Sequence, residues 1–316
     1  MHPFVSLETK HFLGHRKVVS AVTWNLDGTR LAAAGDNTGL LIWDAEHIEA
    51  NARPERRVLH ECRGHSKNIE VVLSSPTSPY MYATAGLDNL VNIFDIRADT
   101  RPSASITTDS KCLFGEWAPD GNSIAIGTDT NNLYVVDCLS MKISKKFPFE
   151  KDFNQFRWSV DGKRMYLTRG DGSVDVDEWP SMKPLTSMRG HARACVGIAC
   201  DPKSRFIAVT SMDTCVSIWD ALSVTNIFTI DRWEVPVQQA EYSHDGQYLA
   251  LLGECQHIDI TESTTGGLRY SIPTGAKVND MAWHPSQNLL AYAPLPPRYP
   301  PADYQPAVCV WGLARA

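Results

Sequence analysis

Three histidines each follow a glycine, in Gly14-His15, Gly64-His65 and Gly190-His191, and Asp-Gly pairs recur along the chain. Histidine and carboxylate side chains move protons near neutral pH, so hydrolytic or metal chemistry is the first to test. Catalysis needs a convergent set of tunable groups. The chain holds no Gly-x-Ser-x-Gly elbow, no His-Glu-x-x-His and no glycine-rich phosphate loop opening a helix. Its eight cysteines, at 62, 112, 138, 195, 200, 215, 255 and 309, include no Cys-x-x-Cys pair. Zinc is therefore not expected, and free thiols in a reducing compartment are. Gly170-Asp171-Gly172 reads as a hairpin turn and Gly266-Gly267 as the end of a strand. Acids recur at turns because turns need them, not as paired general acid and base. The expectation is a protein without catalytic residues, metal or cofactor.

The elements that carry these residues repeat. Trp24-Asn25-Leu26-Asp27-Gly28, Trp117-Ala118-Pro119-Asp120-Gly121, Trp158-Ser159-Val160-Asp161-Gly162 and Tyr242-Ser243-His244-Asp245-Gly246 are copies of one phrase. Looser copies lead at Leu73, Cys200 and Trp283, giving steps of 49, 44, 41, 42, 42 and 41. A second phrase keeps the same phase: Trp43-Asp44, Phe94-Asp95, Val136-Asp137, Asp177-Glu178, Trp219-Asp220, Thr261-Glu262 and Trp311-Gly312. Between them run alternating, β-rich segments such as Val216-Ser217-Ile218-Trp219. A period near forty-two with turn-forming pairs at fixed offsets is that of a four-stranded propeller blade, and seven copies fill residues 1–316 as a single all-β propeller. The expected blades run approximately over 14–63, 64–108, 109–148, 149–189, 190–231, 232–273 and 274–316. The last runs out of chain after its third strand, and an N-terminal strand over residues 3–9, including Phe4-Val5-Ser6-Leu7, is expected to complete it and close the ring. Longer steps mark insertions at Ala45–Glu55 and Pro294–Pro306.

Bulk properties narrow the classes. Apolar residues make up 43% and charged residues 21% of the chain, enough for a core and too few charges for a disordered chain. The net charge of −6 argues against a surface that grips nucleic acid throughout. The richest basic stretches are Arg53–Arg57 and Lys142–Lys146. No run of eighteen apolar residues predicts a membrane span, and Met1–Lys10 lacks a signal-peptide core.

The Gly-His pairs and terminal Trp-Asp pairs together resemble the WD-repeat family. That resemblance implies a hydrogen bond from each such His to an Asp six residues before the Trp position. Those positions hold Asn37 (beside Asp36), Asp88, Thr130, Asp171, Asp213 and Cys255. His65–Asp88 and His191–Asp213 fit as structural turns, blade one is shifted by a residue, and blades three and six have lost the pattern.

Within that family the chain resembles the propeller subunits of the THO/TREX mRNA-export assembly. The residues concerned are Glu234–Val237, Tyr242–Gly246, His257–Ile260, Met281–Pro285, Leu289–Tyr292 and Glu178–Pro184. The resemblance implies a non-enzymatic, nuclear docking platform whose partners are other THO/TREX subunits, especially large helical ones, with RNA touched indirectly or weakly. Cys255 and the proline-rich insertion depart from that branch. For the partner-binding rim, the residues before the turn positions are candidates: Leu87, Asp129, Met212 and Glu254, with Gly170. Arg232 and Trp233 join them because Trp and Arg favour interface hot spots. So do Arg298, Tyr299 and Tyr304 on the insertion, whose prolines reduce the entropy lost on docking. An alternative reading is a peptide or histone-tail reader of another nuclear complex, taking lysine- or arginine-containing segments, with Asp129 and Glu254 at the channel mouth.

Overall fold

A computed structural model of the chain describes residues 7–36, 39–45, 58–299 and 304–314. Among them are seven four-stranded antiparallel sheets and no helix. In each sheet the strands follow in the order a, b, c, d from the channel outward. Blade one illustrates it with Val19–Trp24, Arg30–Gly35, Gly39–Asp44 and Val58–Arg63. The inner strands of neighbouring blades touch around the channel.

Burial follows from this stacking. Strands b and c are covered on both faces by adjacent blades, so they read as continuous buried runs, as in Ser123–Thr128 and Tyr248–Gly253. Seven hydrophobic clusters form among the described residues, each shared between two adjacent blades. The outer strands have no neighbour beyond them and are largely exposed. Lys142–Pro148, which contains the basic stretch of blade three, is almost wholly exposed, and its lysines guard a free sheet edge against pairing with another chain.

The ring closes on blade seven. Its strands a to c are Val278–Trp283, Leu290–Pro294 and Ala307–Ala314, and its outer strand is Leu7–Leu13, paired antiparallel with Ala307–Ala314. Of the apolar segment expected to do this, Leu7 takes part, while Phe4, Val5 and Ser6 lie outside the described residues. So do residues 46–57, which include nearly all of the first insertion, and residues 300–303 of the second.

One register differs from the sequence reading. Blade two's inner strand is Ile69–Ser74, so Ser74, not Leu73, occupies the position of Trp24. The apolar residue made Leu73 look like the lead, but its side chain lines the channel. Every inner strand also carries a bulge at the same place, between its first and third residues. A bulge re-aims the residues that follow it. Here it sets the third and fifth residues of the inner strand toward the channel.

Candidate protein-binding surfaces

The glycine-linked histidines behave in three different ways. His65 Nδ1 lies 2.9 Å from Asp88 Oδ1, and its Nε2 lies 2.7 Å from Thr84 Oγ1. Asp88 also accepts from the Ser66 and Leu90 backbone N–H groups, at 2.7 and 3.3 Å. Burial alone would raise the Asp88 pKa, yet the bonds from His65 and Ser66 hold it below the ordinary value. Blade five repeats the plan and extends it. His191 Nδ1 is 3.0 Å from Asp213, its Nε2 is 2.7 Å from Ser217 Oγ, and Trp219 Nε1 donates to that same hydroxyl at 2.7 Å. Blade one breaks the plan. Leu41 stands where blade five has Ser217, and Asn37 lies outside the described residues. His15, 2% exposed, packs on Trp43, and neither ring nitrogen has a hydrogen-bond partner. Burial pushes its pKa down to about 4, so it sits neutral. In blade three Thr108 stands at the His position, and Thr130 at the Asp position pairs instead with the Ser110 hydroxyl at 2.7 Å. In blade six Cys255 Sγ lies 3.3 Å from the His257 carbonyl.

The b–c face carries the rim residues expected from sequence. The backbone N–H groups of Leu87, Asp129, Met212 and Glu254 all donate to the segment entering their own blade, so the position has a shared structural duty. Leu87 and Met212 are half-buried, while Asp129 and Glu254 are exposed. Both acids have cationic neighbours: Lys111 lies 3.9 Å from Asp129 and Lys277 lies 3.6 Å from Glu254. Gly170 is exposed. Trp233 is corrected by the structure. It is 7% exposed and stacked on His257, so its indole belongs to the packing of blade six and offers no rim surface. Arg232 is held down by bonds to the Gly266 carbonyl and Asp259, at 2.9 and 3.3 Å. On the second insertion Tyr299 is 82% exposed with Arg298 over its ring. Arg298 and Tyr304 line a cavity of about 790 Å³ with Lys277 and Tyr292. The structure thus brings Arg298 and Tyr304 together and leaves the four turn-position residues spread around the rim.

Residues the sequence reading passed over gather inside the channel. The seven inner strands carry four carboxylates, Glu70, Glu116, Glu241 and Asp280, against one cation, Arg157. Most of the polar groups stitch blade to blade. Glu116 accepts from Trp158 N–H at 2.8 Å and from Arg157 at 3.3 Å, Gln155 accepts from Ile198 N–H at 3.0 Å, and Asp280 accepts from Val22 N–H at 2.9 Å. Gln239 donates to Asp280 at 2.9 Å. Burial pushes the Asp280 pKa up to about 6 and that of Glu241 up to about 8. The signal for this belt was present in the sequence. Glu116, Arg157 and Glu241 each stand immediately before a repeat's lead aromatic, a position that the strand period of two turns to the face opposite the aromatic, toward the channel.

Comparison with known proteins decides the family. The model of the WD domain, G-beta repeat, matches residues 7–44, 56–95 and 182–220. THO complex subunit 3 of Arabidopsis thaliana is 33% identical over 92% of this chain and 91% of its own length. The chain belongs to the WD-repeat family. The WD-repeat-containing protein AAC3 of Dictyostelium discoideum is 26% identical over 92% of this chain and 64% of its own length. In fold, the WD-repeat ring superimposes on the β-propeller domain of Myceliophteria thermophila Cps50 (Swd1) with a TM-score of 0.82, covering 97% of this chain and all of that one at 16% identity. WD-repeat rings present loops on two faces around a channel, and such loops are where binding residues concentrate.

Proposed function

We propose that this WD-repeat propeller is a non-enzymatic scaffold subunit of a THO-type assembly, acting in the nucleus in the packaging of mRNA and its export. The observation that carries this reading is the 33% identity to THO complex subunit 3, which extends over nine-tenths of both chains rather than over a few generic repeats. Its partners are the other THO/TREX subunits, large helical ones above all. RNA contact is indirect or weak, in keeping with a net charge of −6. The b–c face supplies contact residues: half-buried Leu87 and Met212, and the insertion with Arg298, Tyr299 and Tyr304.

The test is affinity purification of the tagged chain from nuclear extract, read by mass spectrometry. The wild type recovers THO subunits. A variant combining Leu87→Ser, Met212→Ser and deletion of residues 295–305 keeps its β-sheet circular dichroism and recovers at least about tenfold less of them, since loss of hot-spot side chains costs more than about 1 kcal/mol each. Recovery of no THO subunit by the wild type would sink the assembly reading. Equal recovery by both proteins would remove the b–c face from it.

A further inference from the structure

The face opposite that rim, formed by the a–b and c–d hairpins, holds a second and differently built site. A cavity of about 400 Å³ opens there at the channel mouth, walled by the hairpins of blades three to seven. Glu116, Arg157 and Glu241 line it with Tyr242 and His244. Arg157 is engaged by Glu116 and by the Ile198 carbonyl. Glu241 feels the charge of Arg157 but takes no hydrogen bond from it. The Trp283 backbone N–H bonds the Glu241 carboxylate, but its Oε2 is buried and unpartnered. The Tyr242 hydroxyl and His244 Nδ1 are buried and unpartnered too, and Tyr242 is only 6% exposed. Buried polar groups favour a hydrogen-bond partner, and three of them converge on this one cavity, where one bound polar group can serve them together.

The surroundings say what. The channel wall has an excess of carboxylates over cations, so the missing group is a positive one. Among the described residues no three His, Cys, Asp or Glu side chains converge as metal ligands, which favours an organic cation over a metal ion. The same face is also apolar where solubility would not ask for it. Leu139 is 95% and Leu222 83% exposed, both on c–d hairpins, and Val160 is 41% exposed on an a–b hairpin. Val160 and Leu222 border a smaller pocket of about 240 Å³ between blades four and five, and Val160 and Cys200 line both cavities. Exposed large apolar side chains beside a polar recess fit a protein partner.

We propose that this mouth receives a lysine or arginine side chain of a partner protein, seated on Glu241, while an apolar residue of the same partner segment fills the pocket at Val160 and Leu222. Glu241 supplies the charge, Tyr242 and His244 supply hydrogen bonding, and the channel wall excludes water from the pair. The site is independent of membership of a THO-type assembly and lies on the other face from the rim tested above.

Phage-displayed random dodecapeptides selected on the full-length protein test it. The selected peptides are expected to share a Lys or Arg with a large apolar residue within a few positions. Their affinity falls at least about tenfold on Glu241→Gln and on Leu222→Ser, because a buried charge left without its partner costs about 2–5 kcal/mol. It is unchanged on the double variant Asp129→Asn, Glu254→Gln, which alters the opposite mouth. Glu241→Gln is isosteric, and an unchanged circular dichroism spectrum verifies its fold. Selected peptides without a shared basic residue, peptides that bind wild type and Glu241→Gln alike, or no enrichment at all would each overturn the proposal.

Discussion

At the residue scale, the same residue type plays opposite parts according to its partners. His191 and Asp213 are satisfied on every side, and the Ala192 and Cys215 N–H groups depend on the same carboxylate. Asp213→Ala strands those donors, so we expect a loss of about 2–3 kcal/mol in chemical denaturation. Glu241 is the reverse case. Its folded pKa, near 8, stands above its ordinary value of 4.5, with burial as the main cause, Arg157 opposing and Asp280 reinforcing. The folded state therefore binds more protons than the unfolded one between those values, and stability falls as pH rises through that window. Glu241→Gln removes the penalty. Its melting temperature should exceed the wild type's by at least about 3 °C at pH 8.5, with the gap closing toward pH 4.5. A constant gap across pH would show that Glu241 is not a strained acid. The His–Asp turns were legible because each lies within about 25 residues of chain. The acid belt was legible only position by position: Glu116, Arg157 and Glu241 each stand before a lead aromatic, but they come from blades three, four and six, and only the ring brings them to one cavity.

At the scale of the element, a strand's place in its blade dictates its composition. Inner strands present a mixed, partly polar set of residues to the channel, middle strands are buried on both faces, and outer strands such as Lys142–Pro148 are solvated. That gradient and the turn pairs made the blade readable from sequence. A one-residue slip was the cost in blade two, where Leu73 is apolar and Ser74, the true lead, is not. Trp233 was misjudged for a related reason: its type suits an interface, but its contact with His257 is set by the loop's path across blade six. The outer strand of blade seven is the element on which the ring depends. Deleting residues 1–13 uncovers Ala307–Ala314 as an unpaired edge and removes Phe12, which is 1% exposed and packs on Trp43. The truncated chain is expected to elute as oligomers in size-exclusion chromatography and to unfold at lower denaturant than the full chain. A monomeric, equally stable truncation would refute this.

At the scale of the whole molecule, the two faces are unlike. One carries the proline-rich insertion and half-buried apolar side chains around a rim, and the other carries exposed leucines around an acidic recess. A ring with two such faces can hold two different chains apart at a fixed distance, which is what a scaffold contributes to an assembly. Circular stacking also makes each hydrophobic cluster common to two blades, so loss of one blade weakens both of its neighbours.

The pairing of Leu7–Leu13 with Ala307–Ala314 also has a consequence in time. Nearly 300 residues separate the two strands, and a ribosome working at about 5–20 residues per second needs on the order of 15–60 s to deliver the second after the first. For all of that interval the nascent chain holds its first strand without a mate. Keeping that strand from pairing with another chain until Ala307–Ala314 emerges is the condition this closure sets on the cell.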